Sequence, residues 1–169
     1  MARYRATVPS RHSAAQTFAY LATFSNAVGW DPGVLSAEQL DPGPAGPGTR
    51  YRLVVPFLGL RMPLTYQVTR YQPGREVVLA ASNGLLRATD QIVVTESRDG
   101  SAVEYAAEVR LRGPLRVLDL LLRPGFRAVG DRAATGLAQA LSGGPAGRVT
   151  APPGTAVPEQ VTRLPGAAP

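Results

Sequence analysis

Apolar and polar residues alternate with period two through much of the chain from Val34 to Arg112. Tyr51, Leu53, Val55 and Phe57 fall on one face of a segment, as do Leu64, Tyr66 and Val68. So do Ala88, Asp90, Ile92 and Val94, and then Val103, Tyr105, Ala107, Val109 and Leu111. Arg50, Arg52, Thr65, Gln67, Thr89, Gln91, Glu104, Glu108 and Arg110 fall on the other. This pattern predicts antiparallel strands with one face buried and one wetted. Gln72-Pro73-Gly74 suits a type II turn, and Asn83-Gly84 and Asp99-Gly100 suit hairpin turns with positive φ. A first strand is expected over Tyr4–Val8, stopped by Pro9. Ser13-Ala-Ala-Gln16 has the spacing of a capping box, with Phe18, Leu21 and Ala22 at helical intervals behind it. Ser25 is placed to cap a second short turn ending near Trp30, and Asp31-Pro32-Gly33 reads as a turn. Beyond Gly113-Pro114, Leu115, Leu118, Leu122, Phe126, Val129, Ala133, Leu137 and Leu141 recur every three or four residues. They predict a long amphipathic helix, interrupted or kinked at Pro124-Gly125.

The periodicity stops at Leu141, and composition changes with it. The 27 residues from Gly143 hold five glycines, six prolines and no aromatic residue, too little apolar surface to offset ordering. Residues 1–142 are therefore expected to form one domain and 143–169 a disordered tail. In a chain of 169 residues, 44% hydrophobic, that leaves enough apolar material for a core. No apolar run is long enough to span a membrane, and the first residues lack the apolar stretch of a secretory signal, so a cytoplasmic location is expected. All 18 basic residues are arginine, which points to a GC-rich coding bias. They are scattered rather than gathered on one element, so the net charge of +6 does not indicate a nucleic-acid partner. With no cysteine and a single histidine, His12, neither a disulfide framework nor a metal site is expected, and no cofactor is anticipated.

The order of elements is a strand, two short helices, a strand meander and a long closing helix, which is that of a helix-grip sheet. Ser13-Ala-Ala-Gln-Thr-Phe-Ala-Tyr-Leu-Ala-Thr-Phe-Ser-Asn-Ala-Val-Gly-Trp-Asp-Pro-Gly-Val34 resembles the opening of the polyketide cyclase/dehydrase group of the START-like (SRPBCC) superfamily. Gly48-Thr-Arg-Tyr51, Val103-Glu-Tyr105 and Gly130-Asp-Arg-Ala-Ala-Thr-Gly-Leu137 resemble later parts of the same group. The resemblance implies an α+β fold of the START/Bet v 1 type. An antiparallel sheet of about seven strands would wrap around the C-terminal helix and enclose an apolar cavity. It leaves activity open, because this superfamily hosts cyclases, aromatases, lipid carriers and receptors.

In such a fold the apolar face of the strands looks into the cavity. It carries four polar groups, Tyr51, Tyr66, Asp90 and Tyr105. Buried hydroxyls and carboxylates need partners, because each unpartnered one costs about 1–3 kcal/mol or more. Asp90 is the most informative, since a purely structural strand would carry Val or Ile between Ala88 and Ile92. Read functionally it is a general base or a ligand anchor. Read structurally it is turned outward by a bulge, or it pairs with an arginine. The tyrosines read as core residues with wet hydroxyls or as ligand contacts. The resemblance implies that Trp30 stands near the cavity mouth, either stacking on a ligand or plugging the core. Leu122 and Phe126 would line the underside of the last helix. His12 reads as a solvated residue at a helix entry, and Gly43–Gly48 as a plain loop without phosphate-binding chemistry. Arg116, Arg123 and Arg127 share one face of the last helix. That stripe suits an acidic carrier protein or an anionic membrane surface, or is simply solvated.

The favoured expectation is a protein that binds a small hydrophobic molecule of lipid or polyketide type. A cyclase or dehydratase using Asp90 as base is the alternative. An interaction module built on the arginine stripe is a third reading.

Overall fold

The computed structural model describes residues 1–57, 59–113 and 119–143, with the side chains of residues 119–124 outside the description. Seven strands form one antiparallel sheet: β1 (Ala2–Ser10), β2 (Ser36–Gln39), β3 (Arg50–Phe57), β4 (Leu60–Gln72), β5 (Glu76–Ser82), β6 (Leu86–Ser97) and β7 (Gly100–Leu111). Their order is β1-β7-β6-β5-β4-β3-β2. Six strands thus meander in sequence order, and the first closes the sheet beside the last. Helix α1 (Ala14–Ala22) and a 3-10 turn (Phe24–Gly29) carry the chain from β1 across to β2 on the opposite edge. Helix α2 (Asp119–Leu141) packs mainly along β1. This is the START/Bet v 1-type helix-grip fold.

Local chemistry accounts for most of these boundaries. Ser13 caps α1 as expected: its hydroxyl accepts from the Gln16 N–H at 3.3 Å, and the Gln16 side chain accepts from the Ser13 N–H at 3.3 Å. Asp31 closes its turn by accepting the Gly33 N–H at 2.7 Å. Gly74, at φ 73°, occupies the position of the Gln72–Arg75 turn that requires a left-handed residue. Gly100 also has positive φ, and a side chain there would strike the Ser10 carbonyl.

Four local expectations are corrected. The first strand continues through Pro9, which pairs with Ala102, because β1 is an edge strand with no partner for the missing N–H on its outer side. Ser25 caps nothing: the 3-10 turn starts one residue earlier, after Thr23, whose hydroxyl donates back to the Ala19 carbonyl. The turn at residue 83 is held by Asn83 rather than by a positive-φ Gly84; the Asn83 side-chain oxygen accepts the N–H groups of Leu85 and Leu86, both at 2.9 Å. Helix α2 continues through residues 124 and 125, so the interruption expected there is absent.

The apolar stripe of α2 also lies slightly off its expected track. Val129 is exposed, and Gly130 is buried in its place against the ring of Tyr4. Gly136 lets α2 approach so closely that a side chain there would meet the Trp30 carbonyl oxygen. Ala133, Leu137 and Leu141 complete the buried stripe. At the helix end the Leu141 carbonyl accepts the Arg11 N–H at 3.2 Å, tying α2 to the end of β1.

A bulge in β4 decides which face its second half presents. Val68 pairs with Leu79 but Arg70 with Val78, so Thr69 is the extra residue. Strict alternation would turn Arg70 inward. The bulge puts Arg70 outside, within 3.4 Å of Glu76, and turns Tyr71 in against Phe18. Arg116 and residues 144–169, the body of the expected tail, lie outside the described residues.

Candidate functional site

Asp90 lies on the inner face of β6, between Ala88 and Ile92 and buried like them. No bulge interrupts the pairing of β6 with β5 or β7, so period-two alternation alone aims its carboxylate inward. Tyr105 stands diagonally across on β7, since Asp90 pairs with Ala107 and Tyr105 with Ile92. The Tyr105 hydroxyl donates to Asp90 Oδ1 at 2.8 Å. Tyr66, on β4 two strands away, bears electrostatically on the same carboxylate. Ala81 on β5 and Ala88 on β6 stand in register beside Tyr66.

Burial pushes the Asp90 carboxyl up to about 6, against hydrogen bonds from Tyr105 and Tyr66 that pull it down and the nearby Asp31 charge that raises it. The two tyrosine hydroxyls are pushed well above their usual 10, first by burial and then by the Asp90 charge. Asp31 is also raised by burial, while the Gly33 N–H and Arg132 pull it the other way. Near pH 7 the interior therefore holds the Asp90 carboxylate, hydrogen-bonded by Tyr105 and close to Tyr66, with the Asp31 side chain nearer the surface.

Trp30 packs edge-on to Tyr105, with ring centroids 5.6 Å apart. Trp30 also helps to line a surface groove of about 400 Å³ with Val28, Pro32, Arg132 and Gln139. Its backbone is pinned against α2 at Gly136.

Tyr51 does not join the cluster. It is wholly buried, its hydroxyl donates to the Ala22 carbonyl at 3.2 Å at the end of α1, and its ring meets Phe24 edge-on. Phe24, absent from the expected set, also packs edge-on to Tyr66 and so links the two tyrosines. Asp31 was likewise missed as a site residue; its signal was a carboxylate directly after Trp30, masked by its evident role in a turn. Phe126 is half-buried on α2, and the side chain of Leu122 lies outside the described residues. Of the arginine stripe only the Arg127 side chain is described, and it is exposed. His12 stays at the helix entry: its N–H donates to Ser10 Oγ and its carbonyl accepts from Ser101.

Tyr66, Asp90 and Tyr105 are buried on the inner face, while Val55, Phe57, Ala107 and Val109 on the same face are only half-buried.

Known structures share this arrangement of elements. A protein from Thermus thermophilus superposes with a TM-score of 0.66 at 15% identity, covering 83% of this chain and 95% of its own. A START superfamily protein from Mycobacterium smegmatis gives 0.63 at 13% identity, covering 82% and 96%. The Zhui aromatase/cyclase from Streptomyces sp. R1128 gives 0.64 at 15%, covering 82% and 90%. At these identities the likeness is one of fold. No curated protein matches the chain in sequence. Among the described residues no helix is long and apolar enough to cross a membrane. A family match does extend over nearly the whole helix-grip unit, residues 1–142, and by it the chain belongs to the Polyketide cyclase / dehydrase and lipid transport family.

Proposed function

We propose that the protein binds a small hydrophobic molecule between the inner face of the sheet and α2, as a carrier or binding protein. One observation carries the reading: Asp90, hydrogen-bonded by Tyr105, sits on the inner face of the sheet amid buried apolar side chains. An apolar wall with a few convergent polar groups is the usual composition of a small-molecule site. Trp30 both lines the surface groove and packs on Tyr105, so on this reading a turn of its side chain would open a way to the cluster. A neutral apolar dye such as Nile red should bind with micromolar affinity, and binding should raise the unfolding temperature by mass action. Native mass spectrometry of protein purified from its own host should find a co-purifying mass. If no neutral probe binds, the reading fails.

The position and acidity of Asp90 favour a second reading, a cyclase or dehydratase. A carboxyl with a midpoint about 6 is ionised near pH 7 and basic enough to take a proton from carbon acidified by two carbonyls. The proton would pass to Asp90 and the C–H electron pair to the carbonyl oxygen. Tyr66 and Tyr105, freed from the neutralised carboxyl, would then donate to that oxygen. A panel of β-keto thioesters separates the readings. A catalytic Asp90 predicts that Asp90→Asn binds but loses about 100-fold or more in turnover. A carrier predicts no turnover in either protein.

A further inference from the structure

The donor and acceptor inventory of the cluster restricts what it can hold. An ionised carboxylate offers about four acceptor positions and no donor. One of those on Asp90 is filled by the hydroxyl proton of Tyr105 at 2.8 Å, and the Tyr66 hydroxyl bears electrostatically on the same carboxylate. Each tyrosine has only one such proton, so what both still offer is oxygen lone pairs and ring faces. Every polar group of the triad thus presents acceptors. Trp30, edge-on to Tyr105, adds another electron-rich ring. The groups bearing electrostatically on Asp90 are Tyr105, Tyr66 and Asp31; among the described residues none is a cation. Arg132 acts on Asp31, farther out.

A buried, ionised carboxylate with spare acceptor positions and no counter-cation among the described residues is incomplete as a structural device. We propose that the interior takes an apolar molecule bearing a protonated amine, whose N–H groups complete Asp90 while the aromatic rings of Tyr66, Tyr105 and Trp30 surround the cation. The inference rests on the ligand-binding reading above and narrows it. An ammonium supplies up to three donors and the missing charge, and it is attracted to aromatic faces. A fatty acid supplies a second negative charge beside Asp90, and a ketone supplies only another acceptor.

Three probes with the same ten-carbon chain test this: n-decylamine, 1-decanol and decanoic acid, titrated below their aggregation limits by calorimetry at pH 7.5. The amine should bind at least tenfold tighter than the alcohol, and the acid weakest. The protein carries a net charge of +6, so adsorption to its surface would give the opposite order of amine and acid. In Asp90→Asn the amine should fall to the affinity of the alcohol, and retained alcohol binding reports that the variant is folded. A second measurement needs no variant. Lowering the pH to 4.5 neutralises Asp90, faced by Tyr66 of β4, Tyr105 of β7 and Asp31 of the turn, while decylamine stays charged. The amine preference should then disappear and alcohol binding persist. Equal binding of amine and alcohol at pH 7.5, tighter binding of the acid, or an amine preference that survives Asp90→Asn overturns the proposal and leaves the hydrophobic-ligand reading standing. Binding of none of the three overturns both.

Discussion

Two polar clusters are buried in this fold, and they are built differently. In the first, Ser10 Oγ lies 2.9 Å from Thr17 Oγ1, which lies 2.9 Å from Ser101 Oγ. Ser101 donates on to the His12 carbonyl, and Ser10 accepts the His12 N–H. The chain of hydroxyls starts and ends on backbone, carries no charge, and pins α1 to β1 and β7. In the second, Asp90, Tyr66 and Tyr105 bond to one another rather than to the main chain, and the shared group is ionisable. A buried polar network that closes on the backbone does the work of folding. One that closes on a carboxylate, with acceptors to spare, is open to a ligand. Under the proposed function the hydroxyl cluster is assigned to stability and the carboxylate cluster to ligand binding, and each assignment can be tested against the other.

The largest difference should appear in the dependence of stability on pH. Asp90 binds its proton more tightly folded than unfolded, about 6 against 3.8. The folded state thus holds more protons between those values, and stability falls as pH rises through them, levelling off above about 6. At about 1.4 kcal/mol for each tenfold change in proton affinity, the ionised carboxylate costs about 3 kcal/mol near pH 7. Asp90→Asn removes that cost. Urea unfolding should show the variant more stable than wild type at pH 7 and equal to it near pH 4. A variant less stable at pH 7 would mean that Asp90 helps hold the fold.

Thr17→Val should act in the opposite direction. It removes the middle hydroxyl and leaves those of Ser10 and Ser101 short of a partner, at a cost of about 2 kcal/mol. The same urea curves measure it, and the loss should be independent of pH between 4 and 8. Decanol affinity should not change. A weakened ligand affinity in Thr17→Val would erase the functional distinction between the clusters.

Two tyrosine variants sharpen the comparison at smaller amplitude. Tyr105→Phe removes a hydrogen bond that holds the Asp90 carboxyl down, so the carboxyl midpoint, read by carbon-13 NMR, should move above about 6. Tyr51→Phe costs about 1 kcal/mol through the lost bond to the Ala22 carbonyl. It should leave the Asp90 midpoint where it is, since Tyr51 lies outside the cluster. Movement of the midpoint in both variants would place Tyr51 back among the site residues.

The sheet could be read from the sequence because its signal is local. The inward set of Tyr51, Leu53, Leu64, Tyr66, Ala88, Asp90, Ile92, Val103 and Tyr105 follows from alternation, which needs only the pleat of each strand. The cap by Ser13 and the Asp31 turn are local too, decided within a few residues of chain. The same alternation nominated Tyr51, Tyr66 and Tyr105 on equal terms, and nothing in the sequence separates them.

Separation came from tertiary structure, because each hydroxyl proton goes to whatever acceptor lies within reach across the fold. For Tyr51 that acceptor is a carbonyl at the end of α1; for Tyr66 and Tyr105 it is a carboxylate on another strand. Strand order decided that Tyr66, two strands away, bears on Asp90. The close approach of α2 at Gly136 decided where Trp30 stands. The sequence by itself determined which residues face inward, because that depends on the pleat of a single strand. Which inward polar groups share a proton was decided only by distances between strands and helices far apart in the chain, and hydrogen bonding falls away within a fraction of an ångström of such distances.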